Sequence, residues 1–209
     1  MKLSDVVSAL NATLVGNDVM FDSVSTDSRS LQKDDLFVAL QGPHFDAHMF
    51  IDEVQQHACA VIVNRQLETT LPQLIVKDTR LALGQLAGLW RDRFSMPIIA
   101  VTGSNGKTTV KEMIAAILRQ GREVMATQGN LNNDIGVPLT LFNLNGQQHS
   151  AVIEMGANRP GDIDYLTRIV RPTVAVITNA APAHLEGLGD IAGVARTKGE
   201  IFAGLDNDG

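Results

Sequence analysis

Between Ile98 and Leu118 the chain reads IIAVTGSNGKTTVKEMIAAIL. A β-branched apolar run enters a Gly-Ser-Asn-Gly turn, and Lys-Thr-Thr opens an amphipathic segment. Phosphate binding needs several N–H donors converging on one point, and the first turn of a helix presents four amides that no intrahelical carbonyl takes up. Gly103 and Gly106 let the backbone approach an anion where a Cβ would obstruct it. Lys107 is spaced to reach β- and γ-phosphates, and the Thr108 hydroxyl can ligate Mg²⁺. Gly103, Ser104, Asn105, Gly106, Lys107, Thr108 and Thr109 are therefore the candidate phosphate-binding residues. The general P-loop pattern has one more glycine where this chain has Val101, so an unliganded glycine turn remains the competing reading.

Two further polar residues fall where strands are predicted to end. Glu154 follows the run AVI, and His184 lies just past VAVITNAA. Ligands of open α/β sheets bind at the carboxyl ends of the strands, so beside a phosphate loop both are magnesium-site candidates. Taken alone, the glutamate reads equally as a helix cap or ion-pair partner and the histidine as structural, and magnesium prefers oxygen ligands. The amides of Asn130, Asn132 and Asn133 suit phosphate or carboxylate oxygens, or simply a polar turn. Lys198, in ARTKGEIF, reads from chemistry alone as a solvated helix lysine.

Those residues need elements to hold them. From Pro97 onward strands and helices alternate: PIIAVT, a helix from about Lys107 to Gln120, EVMAT, the polar loop QGNLNNDIGVP, HSAVIEMGA, the helix GDIDYLTRIVRP and TVAVITNAA. Apolar strands alternating with helices predict a parallel sheet covered on both faces. Upstream, Leu3–Leu10 has helical spacing behind a Ser4 cap. FDSVSTD, DLFVAL, CAVIVN and QLIVK read as strands, and MFIDEVQQHA and TRLALGQLAGLWRDRF as helices. The fold class expected is α/β: a small N-terminal α/β domain at 1–80, a connecting helix at 81–96 and an incomplete P-loop-type doubly wound domain at 97–209. A sheet of that kind normally continues past TKGEIFAGLDNDG, which predicts a piece of a longer protein.

Composition bounds the function. The 209 residues are 44% hydrophobic and 19% charged, and 23 acidic residues against 17 basic give a net charge of −6. No broad basic face for nucleic acid is expected from that balance. The single cysteine, Cys59, lies in the apolar run ACAVIV and reads as a buried core thiol. The N-terminus has no continuous apolar signal region, and no run reaches the roughly 18 residues of a membrane span, so a soluble, cytoplasmic protein is expected.

The motifs resemble those of one family, the Mur ligases of peptidoglycan synthesis. TGSNGKTT is similar to their shortened P-loop, which lacks the first glycine of the general pattern. STDSRSLQKDDLFVALQGPHFDAHMFIDEV resembles an N-terminal module shared by several branches. GNLNNDIGVPLTL, IEMGANRPGDI and NAAPAHLEGLGDIAGVARTKGEIF are most similar to the branch that joins D-alanyl-D-alanine to a UDP-N-acetylmuramoyl-tripeptide. The resemblance runs from about Val24 to Leu205.

It implies ATP-dependent ligation through an acyl phosphate, with ATP on Gly103–Thr109 and Lys107 countering charge on the transferred group. It implies one Mg²⁺ held by Thr108 and Glu154, and a second supported by His184 and by Lys198 as a carbamate. Lys107, Lys198 and His184 are thereby the expected catalytic residues. Asn130, Asn132 and Asn133 would face the UDP-muramoyl substrate, and Ser28, Arg29 and the loop Phe45–His48 its UDP end. A monomer is expected, with a third, C-terminal domain missing and the isolated chain inactive. The rivals are a sister ligase adding the third stem-peptide residue, folylpolyglutamate synthase, and a non-catalytic nucleotide-binding module. Folylpolyglutamate synthase begins near the P-loop and lacks a module like 1–80.

Overall fold

The structure, a computed structural model, describes residues 1–205. The turn expected at the end of the chain, over 206–209, lies outside the described residues. The chain divides into two compact units, Met1–Leu89 and Trp90–Gly209.

The first unit runs α1 (Leu3–Val7), β1 (Thr13–Val15), β2 (Ser23–Ser25), β3 (Asp35–Val38), β4 (Gln41–Gly42), β5 (Phe45–Asp46), α2 (Ile51–Val54), β6 (Ala60–Val63), β7 (Gln73–Ile75) and the start of α3 (Thr79–Arg91). Its main sheet has the order β1-β7-β6-β3-β2. Four of these strands are parallel, and β1 joins antiparallel with Thr13 opposite Ile75. Every residue of DLFV in β3 and AVIV in β6 is buried, as parallel strands covered on both faces require. Leu31, Phe37, Ala47, Val54, Val61 and Val63 build the core on one face.

Three local readings change. Strand β1 was not anticipated: ATLVG is short, and its partner β7 lies about sixty residues away, so no local signal marks it. Ser4 is not a cap. It lies inside α1, its hydroxyl donates to Asp18 at 2.8 Å, and the N-terminal Lys2 amide is satisfied by Asp5 at 2.9 Å. Cys59 is partly rather than fully buried, and its Sγ donates to the Asp35 carbonyl at 3.3 Å.

Helix α3 opens under Asp78, whose carboxylate accepts the amides of Arg80 and Leu81 at 2.8 and 3.0 Å. The connecting helix read at 81–96 thus begins at Thr79 and ends at Arg91. Its last two residues bond within the second unit. The Trp90 indole donates to the buried Leu144 carbonyl at 3.0 Å, and its ring meets Phe142 edge-on at 5.9 Å. Arg91 donates to the carbonyls of Val170, Arg171 and Phe94. Val170 is the last residue of α6 (Asp162–Val170), so a cation sits on that helix's unpaired carbonyls.

The second unit continues β8 (Ile98–Thr102), α4 (Lys107–Leu118), β9 (Val124–Ala126), α5 (Gly136–Leu141), β10 (Ser150–Glu154), α6, β11 (Val174–Ile177), α7 (Leu185–Leu188) and α8 (Ile191–Gly199). Its four strands are all parallel in the order β11-β8-β10-β9. Glu154 pairs with Val101 and Ile177 with Thr102, so β8, β10 and the edge strand β11 end at one level. Below that level Val101, Ala115, Val124, Ala126 and Val152 form a dry core. Among the described residues no helix is long and apolar enough to cross a membrane.

Two outcomes follow. Trp90→Phe keeps the ring but leaves the Leu144 carbonyl buried without its donor, a loss of about 1–3 kcal/mol, read by urea denaturation with far-UV circular dichroism. Burial pushes the Cys59 thiol up to about 11, against 9.0 for the free group. At pH 8 its alkylation is then roughly 100-fold slower than that of a free thiol, and a rate equal to that of a model peptide would contradict it.

Candidate functional site

The turn after β8 brings most of the predicted loop into one place. Gly103 has φ +147°, a backbone conformation that disfavours any other residue, and a Cβ there would overlap the Thr178 hydroxyl. The loop can therefore lie directly on the segment that follows β11. Ser104 NH donates to the Asn179 carbonyl at 3.1 Å and its hydroxyl to Ala181 O at 2.8 Å. The Asn105 amide donates to Asn179 Oδ1 at 3.2 Å, and Thr178 Oγ1 donates back to Asn105 O at 2.6 Å. Gly106, at φ +75°, caps α4 with no side chain in the way. The Lys107 ammonium donates to Gly103 O at 2.8 Å, folded over the loop it would serve.

Thr108, in the first turn of α4, reaches β10. Its hydroxyl donates to Glu154 Oε2 at 2.8 Å, while Asn132 Nδ2 donates to Oε1 at 2.8 Å and to Asn130 Oδ1 at 2.8 Å. Glu154 is 2% exposed, so both carboxylate oxygens are satisfied by protein donors, as a buried charge requires. Its own amide donates to Thr127 Oγ1 at 2.9 Å. The polar loop is closed on the same point, with the Gly156 amide on Asn132 O at 2.7 Å and Asn133 Oδ1 accepting from Gly136 at 2.8 Å.

This donor set fits a magnesium ion. Magnesium takes hard oxygen ligands at 2.0–2.1 Å with near-octahedral geometry, which places neighbouring ligand oxygens about 2.9 Å apart. The Thr108 and Glu154 oxygens stand 2.8 Å apart. His184 is not gathered in the same way. It is exposed in the left-handed region at φ +53°, heading α7, and the described residues contain no cluster of three or more His, Cys, Asp or Glu able to hold a metal.

Lys198 is not a solvated lysine. It lies on α8 at 2% exposure, and its pKa is lowered, first by burial and then by the positive charge of Lys107, against Asp162 and Glu200. Glu200 accepts the Gly161 and Asp164 amides at 2.9 and 3.1 Å, supplying the N-terminal cap that Gly161 lacks on α6. No spacing in the sequence marks Thr127, Thr178, Asn179 or Glu200, because each acts on a segment far along the chain.

The first unit separates its candidates. Ser28 and Arg29 lie in a single helical turn capped by Asp27, and Arg29 grips that carboxylate with Nε at 2.8 Å and Nη2 at 2.6 Å. Those bonds hold Asp27 down at about 2. In the loop Phe45–His48, Phe45 is exposed and stacks on Phe50 at 5.7 Å. His48 is buried, its Nδ1 2.5 Å from Asp46 and its Nε2 accepting the Asn64 amide at 3.1 Å. Both ring nitrogens are thus committed to the protein, unlike the ligand-facing role expected for this loop.

A parallel sheet with a glycine loop and a buried carboxylate at adjacent strand ends defines an open α/β domain with its polar groups gathered at the carboxyl ends of the strands. Residues 101–209 match the Mur ligase middle domain. The chain belongs to the Mur ligase family. It is 52% identical over 208 residues to the UDP-N-acetylmuramoyl-tripeptide–D-alanyl-D-alanine ligase of Escherichia coli, covering 99% of this chain and 46% of that protein. The Haemophilus influenzae ligase of the same name is 48% identical over 218 residues, covering 100% and 48%. A crystal structure of MurF from Acinetobacter baumannii superposes with a TM-score of 0.90 at 40% identity, covering 99% and 47%. MurF ligase from Thermotoga maritima in complex with ADP does so at 0.82 and 38%, covering 88% and 43%. The chain spans a little under half the length of the curated relatives it matches.

The two loop glycines should differ on substitution. Gly106→Ala meets nothing within 4 Å and costs only its backbone strain, about 1–2 kcal/mol. Gly103→Ala adds the displacement of Thr178 and the loss of its bond to Asn105, so its unfolding midpoint in urea should fall further. Equal midpoints would contradict the close approach.

Proposed function

We propose that this chain is the nucleotide- and UDP-substrate-binding part of a cytoplasmic ATP-dependent ligase that joins D-alanyl-D-alanine to a UDP-N-acetylmuramoyl-tripeptide in peptidoglycan precursor synthesis. The observation that carries the reading is the Thr108–Glu154 contact at the head of the phosphate loop. The names of the relatives supply the substrates. Binding is assigned to these residues and turnover to the whole protein.

In this reading the loop Gly103–Thr109 receives the ATP phosphates, through amides other than those of Ser104 and Asn105, which Asn179 holds, and Lys107 leaves Gly103 O to meet the transferred group as its negative charge shifts. Magnesium supplies charge neutralisation on the phosphate oxygens, and Thr108 and Glu154 would hold it. His184 and a carbamylated Lys198 would support a second ion. Asn130, Asn132 and Asn133 orient the carboxylate of the tripeptide, which takes the γ-phosphoryl group of ATP with release of ADP; the dipeptide amine then attacks the acyl phosphate, forming the amide and releasing phosphate. Residues 1–80, with Ser28 and Arg29, take the UDP end, and Arg29 exchanges Asp27 for phosphate.

Calorimetric titration with Mg·ATP tests the loop. Lys107→Ala should weaken binding at least tenfold, and equal affinity in the two proteins would overturn the assignment. The carbamate has its own test. Because burial lowers the Lys198 pKa, more of its amine is neutral at a given pH, and the neutral amine is the form that reacts with CO₂. A carbonyl signal from ¹³C-bicarbonate should grow from pH 6.5 to 8.5 and vanish in Lys198→Ala.

A further inference from the structure

One buried cation takes no part in that mechanism. Lys111 lies on α4, one turn beyond Lys107, and is 1% exposed. Its ammonium donates to the Thr127 carbonyl at 2.5 Å and pairs with Glu112 at 2.9 Å. Glu112 is more than half exposed, so the carboxylate neutralises the charge at the rim while the directed bond inside goes to Thr127. Desolvating an ammonium costs several kcal/mol. An apolar side chain of the same length would fill this space without that cost, so what the ammonium adds is direction.

Thr127 is where that direction matters. It follows β9, is itself buried, and its two oxygens face opposite ways along the network. The carbonyl accepts from Lys111, and the hydroxyl accepts the amide of Glu154 at 2.9 Å. One residue later the polar loop begins, and it returns through Asn132 to the Glu154 carboxylate. Thr108 and Lys111 are three residues apart and so share a face of α4. Thr108 holds the carboxylate from one side while Lys111 holds the strand end that carries both the loop and the Glu154 amide.

We propose that Lys111 is a positioning residue that fixes the 128–133 loop and Glu154 relative to Thr108, so that the magnesium-dependent part of nucleotide binding depends on it. The inference rests on the phosphate-loop reading above for its ligand, but not for its geometry. Nothing in the P-loop pattern requires a lysine at this place, since Lys111 touches no group of the loop.

The test uses the 209-residue chain with Lys111→Met and two readouts. The first is amide hydrogen exchange over 127–137 and 152–156, which needs no ligand and should accelerate about tenfold in the variant. The second is ADP affinity with Mg²⁺ and with EDTA. The affinity with Mg²⁺ should fall about tenfold and that in EDTA change less than twofold. Unchanged exchange, or equal losses with and without Mg²⁺, would overturn the proposal. Should the wild-type chain bind no ADP, that result counts against the phosphate-loop reading, and the exchange result alone decides this one. If Lys111→Met does not fold, Lys111→Gln takes its place. It keeps a polar side chain but removes the ammonium that reaches the Thr127 carbonyl, and it should accelerate exchange over 127–137. Wild-type exchange there would sink the idea equally.

Discussion

A carboxylate buried at the end of a strand has to be answered by donors, and two donors answer Glu154 while its own amide finds an acceptor. The α4 hydroxyl of Thr108, the loop amide of Asn132 and, through its own backbone, the Thr127 hydroxyl all converge on one residue. An uncompensated charge at that depth would cost several kcal/mol or force protonation. The position of the phosphate loop's helix, the course of the polar loop and the end of β9 are thus set by one electrostatic demand. The same demand makes the place suitable for a divalent ion, because donors that satisfy a carboxylate can turn away when a cation takes their place.

Strand register makes this convergence possible. Glu154 lies opposite Val101 and Ile177 opposite Thr102, so the chain leaves β8, β10 and β11 at one level and its loops are forced together. A slip of one residue would turn Glu154 to the other face of the sheet. The fully buried run on β10 and the nearly buried one on β8 prevent it, since their apolar side chains would be displaced as well. Packing below the site therefore does the positioning, and the polar groups above it provide the binding chemistry.

This division explains what could be read from the sequence. The strand–loop–helix around Gly103 and Lys107 is a local pattern, and the strands and the strand-end Glu154 followed from apolar runs and their ends. The contacts that complete the site are not local. Ser104 meets Ala181, Gly161 is capped by Glu200, and Lys111 meets Thr127, each pair separated by a length of chain that carries no periodic signal. Nor does any local pattern mark the bond by which His48 Nε2 accepts the Asn64 amide, sixteen residues on. Lys198 shows the same limit, since on chemistry alone a helix lysine is expected in solvent and only tertiary packing buries it.

Lys107 and Lys198 give the site its charge balance. Burial first, and then the positive charge of Lys107, lowers the pKa of Lys198. Lys107 lies back on Gly103 O, a neutral partner that satisfies one proton of the ammonium. Asp162 and Glu200 offset the field at Lys198, but each is already engaged by backbone amides at the start of α6. In the proposed reading, an anion at the loop would relieve the repulsion that Lys107 exerts on Lys198, and the groups involved are in place beforehand. Preorganisation of this kind lowers the reorganisation needed when charge moves onto a phosphate, and here it rests on a buried Lys198 held near a half-buried Lys107.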